Sequence, residues 1–321
     1  MSASRKLRTL AKSLVFSARA NPFALRRSLD GMMAQDRIAI LNFHRVAPLD
    51  GSSYVPLDPQ LFDDIIAFCR SRGDVRTFAD LHQPAGTRPI FVISFDDGYR
   101  DFLEYSLPAL RRHGLRCNHN LIPGCVESGR PPLNVLLQDF IGKASGALLA
   151  DISLEGFGPL AGDDRERTGL RASAWLKALP IARQRQVMAG LQPALEEEGS
   201  RFSATPMMTL EEVQALGDDV EVGAHSFDHA TLAAESDDYV RQDAIRCRGW
   251  FADTLSRPTE IYALPNGAAT EPQRDILREE GFTTILRVEE SSSTRTGVEH
   301  RRFTIYGDTR AEVRSRALGL I

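Results

Sequence analysis

Short apolar runs recur along the chain, each ending in polar or charged residues. They are Ile38–Phe43, Ile90–Phe95, Arg116–Ile122, Val220–Ala224, Glu260–Leu264, Thr283–Val288 and Phe303–Tyr306. Most are near-continuous rather than strictly alternating, the pattern of parallel strands buried on both faces. Segments of helical pattern separate many of them. Asp101–His113 is expected to bend at Pro108 and to stop at Gly114. Asp237–Leu255 and Glu271–Glu280 follow, the latter ended by Gly281. Strand and helix in alternation predict an α/β sheet or barrel.

Two stretches break the rhythm. From about residue 127 to 206 the pattern is helical, with Leu133–Lys143, Ala172–Leu179 and Ile181–Gly199 around a Gly/Asp-rich loop at Gly156–Asp164. This block reads as an insertion between two βα units, either a lid over the strand ends or simple packing. At the start, Leu7, Leu10, Ala11, Leu14, Val15 and Ala18 form one stripe of an amphipathic helix, with Arg8, Lys12 and Arg19 off it. The expected organisation is a leader at 1–35, barrel at 36–126, helical insertion at 127–206 and barrel again at 207–321.

Composition sharpens this picture at a few points. The chain has 321 residues, 42% hydrophobic and 26% charged, the profile of an ordered globular protein. Net charge is −4, which disfavours a nucleic-acid binder. The charge is uneven: residues 1–30 hold seven basic side chains and one acid, about +6, so the remainder is about −10. Such a leader either packs on the body of the protein or rests on an anionic membrane surface. Lys12 interrupts the apolar core that a secretory signal needs, so a cytoplasmic protein is expected, membrane-associated on the second of these readings, with secretion as the alternative. Cys69, Cys117, Cys125 and Cys247 are scattered without a CxxC pair, which excludes a thiolate zinc site.

Two motifs carry chemistry. Ser94-Phe95-Asp96-Asp97-Gly98-Tyr99 ends a buried strand. Two carboxylates there are costly unless paired or bound to a cation. Neighbours on an extended chain point opposite ways, so one is free to bind a metal while the other faces substrate. The bland alternative is a solvated Asp-Asp-Gly turn. His225-Ser226-Phe227-Asp228-His229 follows another strand. Histidines at i and i+4 share a face if the chain turns helical there, and could then chelate one metal. Both motifs sit after strands, where barrel enzymes place their sites.

These motifs resemble those of the polysaccharide deacetylases, the NodB-homology or carbohydrate esterase family 4 group. The order of features is similar too: Asn42-Phe43-His44-Arg45-Val46, the Asp-Asp motif, the paired histidines, then Ala263-Leu264-Pro265-Asn266-Gly267. The resemblance implies an irregular (β/α)7-type barrel with a helical insertion, and a hydrolase removing N- or O-acetyl groups from a polysaccharide. It implies Asp96 as general base, and Asp97, His225 and His229 as ligands of a divalent metal, zinc first. It also implies Pro265, Asn266 and Gly267 as the acetate-pocket loop, with the Asn266 N–H on the oxyanion. The arginine that often opens the third motif is missing, and Arg302 is the substitute, able to pair bidentately with Asp96. The late Leu-x-His motif is missing too. His44 matches the acid histidine of exopolysaccharide-type members, with His300 as its rival. The implied partner is an acetylated oligo- or polysaccharide, or its lipid-linked precursor. Two other readings stay open: an inactive carbohydrate-binding barrel, and a non-haem Fe(II) oxygenase, since two histidines and a carboxylate also suit that metal.

Overall fold

The computed structural model describes residues 15–199 and 202–320. Seven strands form its centre: β1 Arg37–Phe43, β2 Ile90–Asp97, β3 Cys117–Leu121, β4 Val220–Ala224, β5 Ile261–Ala263, β6 Thr284–Val288 and β7 Glu299–Thr304. Each pairs in parallel with its neighbour in the ring β1-β7-β6-β5-β4-β3-β2, and β2 returns to β1 along six residue pairs from Ile38–Ile90 to Phe43–Phe95. The barrel is closed, so none of the seven is left as an edge. The expected (β/α)7-type fold is what forms. Two short strands patch its lower rim: Asp74–Arg76 along the start of β2, and Ser293–Thr294 antiparallel to the start of β1.

Strand pleating explains the near-continuous apolar runs. Ala39, Leu41, Phe43, Phe91, Ile93 and Phe95 point outward into a core shared with the surrounding helices. Ile38, Ile40, Ile90, Val92, Ile261 and Leu286 point inward and fill the barrel. Phe78 and Leu81 join this inner cluster as a plug, and the Glu221 carboxylate on β4 accepts from the Phe78 and Ala79 N–H groups at 2.9 and 2.7 Å. Near the C-terminal strand ends the inward positions turn polar, with Asn42, Ser94, Asp96, Asn118, Asn120 and Arg302 all buried.

Several boundaries differ from expectation for physical reasons. β7 starts at Glu299, well before the apolar run at Phe303, because its inward residues are His300 and Arg302. The segment after the Asp-Asp motif is a π-helical turn, Phe102–Ser106, followed by the α-helix Leu107–Arg112. Pro108 has no N–H to continue an α ladder back into that turn. A second π turn, Trp250–Thr254, ends the helix Asp237–Gly249.

Between β3 and β4 lies the helical block, with Leu133–Lys143, Arg165–Lys177 and Ile181–Glu198 as its long members. Leu137, Phe140, Ile141, Leu176, Met188 and Leu191 give it a core of its own. Within the block, Asp139 accepts from the Thr205 N–H and hydroxyl at 2.6 and 3.0 Å. Other bonds tie the block to the barrel. Arg185 pairs with Asp228 at 2.8 Å, and Glu235 accepts from the Ile181 N–H at 2.6 Å. Trp175 packs on Phe157 with ring centroids 5.5 Å apart, as a packing residue does.

The leader is described from Val15 onward, so Leu7, Leu10, Ala11 and Leu14 of the expected stripe lie outside the described residues. The helix Pro22–Ala34 packs on the barrel layer through Leu25, Leu29 and Met32. Among the described residues no helix is long and apolar enough to cross a membrane.

Candidate active site

The Asp-Asp motif closes β2, where Asp96 still follows the pleat and points into the barrel. Asp97 takes a left-handed backbone, φ 82°, and Gly98 continues the turn at φ 88°. The second carboxylate is thereby swung out of the pleat toward β4. The expected division of directions between the two aspartates is what the backbone produces.

Asp96 is held from all sides. Arg302 reaches across the barrel from β7 and places Nη1 and Nη2 each 2.8 Å from one of its oxygens. Asn42 on β1 donates to Oδ2 at 3.0 Å and Asn120 on β3 to Oδ1 at 2.8 Å. Arg302 also donates to the Asn42 side-chain oxygen at 3.0 Å, which fixes that amide's orientation. Gly223 on β4 leaves room for this arrangement, since a Cβ there would lie 2.2 Å from Asn120 Oδ1. Burial alone would raise the Asp96 pKa, but Arg302 and His225 reverse the sign and hold it far below the usual carboxylate range.

Asp97, His225 and His229 converge with their ligand atoms within 4.8 Å of one another. His225 Nε2 and His229 Nε2 lie 3.4 and 3.5 Å from Asp97 Oδ1. That oxygen is buried and receives no hydrogen bond. A buried carboxylate oxygen facing two imidazole nitrogens, without a donor between them, fits a cation. His225 Nδ1 is 2.8 Å from the Ala263 carbonyl oxygen, which fixes the proton there and turns the Nε2 lone pair to the site. Burial pushes His229 down to about 3, with His225 adding to the effect. Lys177, from the helical block, contributes to the same depression, so that block reaches the site's field.

The chain does not turn helical here, so the two histidines meet by another route than a shared helical face. The segment is a loop in which Ser226 and His229 both take positive φ, 59° and 60°. Asp243, buried on the helix behind, accepts from the Ser226 hydroxyl and the Phe227 N–H at 2.9 Å each and from the Tyr262 hydroxyl at 2.5 Å. These bonds compensate the strained backbone and bring the imidazoles 5.1 Å apart, edge to face.

His44 follows β1 and lies with Nε2 3.9 Å from Asp96 Oδ2, about a quarter exposed. Its pKa is lowered, enclosure outweighing the pull of Asp97 and Asp96. His300 is placed elsewhere. It points into the barrel two residues below Arg302, 3.1 Å from Ser293 Oγ and packed on Phe78. The segment Pro265–Gly267 caps β5 beside His225. Asn266 has φ 57° and donates its side-chain amide to Thr231 Oγ1 at 2.7 Å, and Gly267 lies so close to Val288 that a Cβ would sit 2.8 Å from it. Sequence reasoning gave no role to Asn120, Ser94, Asn118 or Asp243. The polar positions at alternate residues of β3, inside an apolar run, were the available signal for the first and third.

With this geometry in place, comparison with known proteins is informative. The polysaccharide deacetylase family model matches residues 198–285, which include β4, both histidines and β5. No curated protein matches the sequence significantly. Among solved structures, the deacetylase PplD of Streptococcus pyogenes, in complex with acetate, is 14% identical with a TM-score of 0.54, over 84% of this chain and 92% of that one. IcaB from Ammonifex degensii is 16% identical with a TM-score of 0.55, over 88% and 97%. A polysaccharide deacetylase from Bacillus cereus is 10% identical with a TM-score of 0.56, over 88% and 69%. At these identities the structural likenesses speak for the fold. The family model falls on the strands that carry the paired histidines, within a closed seven-stranded barrel, so in this part of the sequence and in fold the chain is similar to the polysaccharide deacetylases, a family of hydrolases.

Proposed function

We propose that the chain is a metal-dependent deacetylase that hydrolyses the acetamido group of an N-acetylated sugar in a bacterial polysaccharide or its lipid-linked precursor. The convergence of Asp97, His225 and His229 beside the clamped carboxylate of Asp96 carries this reading. Asp97, His225 and His229 would hold the divalent ion, with zinc favoured by the nitrogen-rich donor set. When bound, the ion polarises the acetyl carbonyl and acidifies water.

The remaining work falls to side chains. Asp96 accepts the proton of the attacking water, and Arg302, Asn42 and Asn120 keep it ionised and aimed. A carboxylate held so far below neutral passes a proton onward rather than retaining it. His44, 3.9 Å from Asp96 Oδ2, is placed to carry that proton to the leaving sugar nitrogen. The Asn266 N–H serves the developing oxyanion. Acetate and a free amino sugar result.

The reading as an inactive barrel rested on two absences, the arginine of the third motif and the late Leu-x-His motif. The bidentate Arg302–Asp96 pair supports a substitute for the first, and His44 beside Asp96 is the proposed substitute for the second. For an Fe(II) oxygenase, the clamped second carboxylate would have no task. The test is acetate release from N-acetylated and O-acetylated oligosaccharides, with metal analysis of the same preparation. Activity should vanish with a chelator, return with Zn2+, and be lost in Asp96→Asn. A metal-free preparation that still released acetate would overturn the reading. The proposed site of action is the cytoplasmic side of a membrane, which cell fractionation checks.

A further inference from the structure

We propose that the leader face is a docking surface for an anionic membrane, and that a cleft beside it receives a lipid phosphate headgroup. The helix Pro22–Ala34 uses one side for the body of the protein. Leu25, Leu29 and Met32 pack inward and the Ser28 hydroxyl donates to the Leu318 carbonyl at 3.2 Å. Its opposite stripe carries Phe23, Arg26, Arg27, Asp30 and Met33, all exposed. Phe23 is 74% exposed, the highest value among the large exposed apolar side chains, and Val15, in the preceding helical turn, is 52% exposed. Val15 and Ala18 are the described end of the apolar stripe read from the sequence, and both face solvent. Large apolar side chains set among arginines and turned away from the protein's own core are the composition of an interfacial helix.

The cleft is the second, independent observation. It lies between this helix and the helix Pro59–Arg72 and has a volume of about 960 Å3. Leu25, Leu29, Phe68 and Pro89 contribute apolar wall, and Arg26, Arg72, Arg88 and Arg314 contribute cations. Arg314 stacks over the Phe68 ring at 5.2 Å, and its Nε is buried without a hydrogen-bond partner. Asp30 and Asp64 also line the cleft and pair with Arg26 and Arg310, and Arg88 pairs with Asp74 at 3.2 Å, so Arg72 and Arg314 are the lining cations that no carboxylate engages among the described residues. Guanidinium groups over an apolar wall recognise a phosphate attached to a hydrocarbon. Arg19, Arg26 and Arg27 against the single acid Asp30 in the described part of the leader, with Arg72 and Arg314 beside it, orient this face toward an anionic bilayer. Contact is peripheral, since no described helix is fit to span the membrane.

The experiment is co-sedimentation of the full-length protein with vesicles of phosphatidylcholine alone or mixed equally with phosphatidylglycerol. Binding is expected only to the anionic vesicles and should weaken with salt. Arg72→Glu, a change of two charges, should lower the partition coefficient roughly thirtyfold. Phe23→Ser should lower it about tenfold or more. Neither residue belongs to the active site, so acetate release from a soluble substrate should be unchanged in both, which separates this proposal from the proposed function. Equal binding to both vesicle types, no binding, or binding indifferent to both substitutions would overturn it. So would concentration-dependent dimerisation abolished by Phe23→Ser, which would assign the face to a second copy. Glycerol phosphate bound in solution as tightly as the vesicles would make the cleft a small-anion site and would also overturn the membrane reading.

Discussion

Arg302→Met is the most direct perturbation of the polar upper barrel. The wild-type pair is fully enclosed, with Arg302 0% and Asp96 2% exposed at the side chain. Removing the guanidinium leaves a buried carboxylate with two amide donors, Asn42 and Asn120, and no cation. Breaking a buried pair in this way costs about 3–5 kcal/mol, whereas an exposed pair is worth ~0–1 kcal/mol. The pairing should therefore appear in a double-mutant cycle. Asp96→Asn together with Arg302→Met should cost less than the sum of the two single changes by ~2 kcal/mol or more. The assay is urea denaturation of each protein with metal chelated throughout, so that lost ion binding does not enter the difference. The deficit of Arg302→Met has a direction in pH as well. Without its cation, Asp96 regains a proton as pH falls, so the deficit should shrink toward acid. A loss below about 1 kcal/mol, or strict additivity in the cycle, would refute the idea that Arg302 is the counter-ion of a buried base.

Three further outcomes are expected. Burial holds His300 at about 4 rather than its ordinary 6.5, so the folded state refuses a proton that the unfolded chain accepts. That contributes roughly 3 kcal/mol present above pH 6.5 and lost as pH falls toward 4; His300→Gln should flatten this acid limb in pH-dependent unfolding, and an unchanged limb would refute the assignment. Asp243→Asn should weaken metal binding by about 10–100-fold, because it loosens the loop that orients both histidines; competition with a chromogenic chelator measures this, and wild-type affinity would refute it. Gly223→Ala sets a methyl 2.2 Å from Asn120 Oδ1 and should destabilise by about 1–3 kcal/mol while lowering turnover; full activity would show that Asn120 can move without disturbing Asp96.

Much of the site could be read from the chain because its chemistry is local. Asp96 and Asp97 are adjacent, His225 and His229 are four apart, and each pair follows an apolar run that marks a strand. Arg302 as partner of Asp96 came from resemblance, and the geometry supports it. The parts that escaped are those assembled by pleating across different strands. Asn42 and Asn120 meet Asp96 only because alternate residues of β1 and β3 face one interior. Asp243 acts from a helix behind the loop, and no spacing announces it. The i, i+4 spacing of the histidines would give a shared face only if the chain turned helical, and it does not. Two left-handed residues reach the same convergence by another path.

The closure of the barrel bears on how the protein is made. Arg302 sits on the last strand of the barrel, 206 residues after Asp96. While the ribosome still covers β7, β1 lacks that neighbour and the Asp96 carboxylate lacks its counter-charge. The nascent chain therefore cannot bury its future base until β7 has emerged. Incomplete products would carry open strand edges and an unpaired charge, which marks them for proteolysis rather than leaving partial enzymes behind.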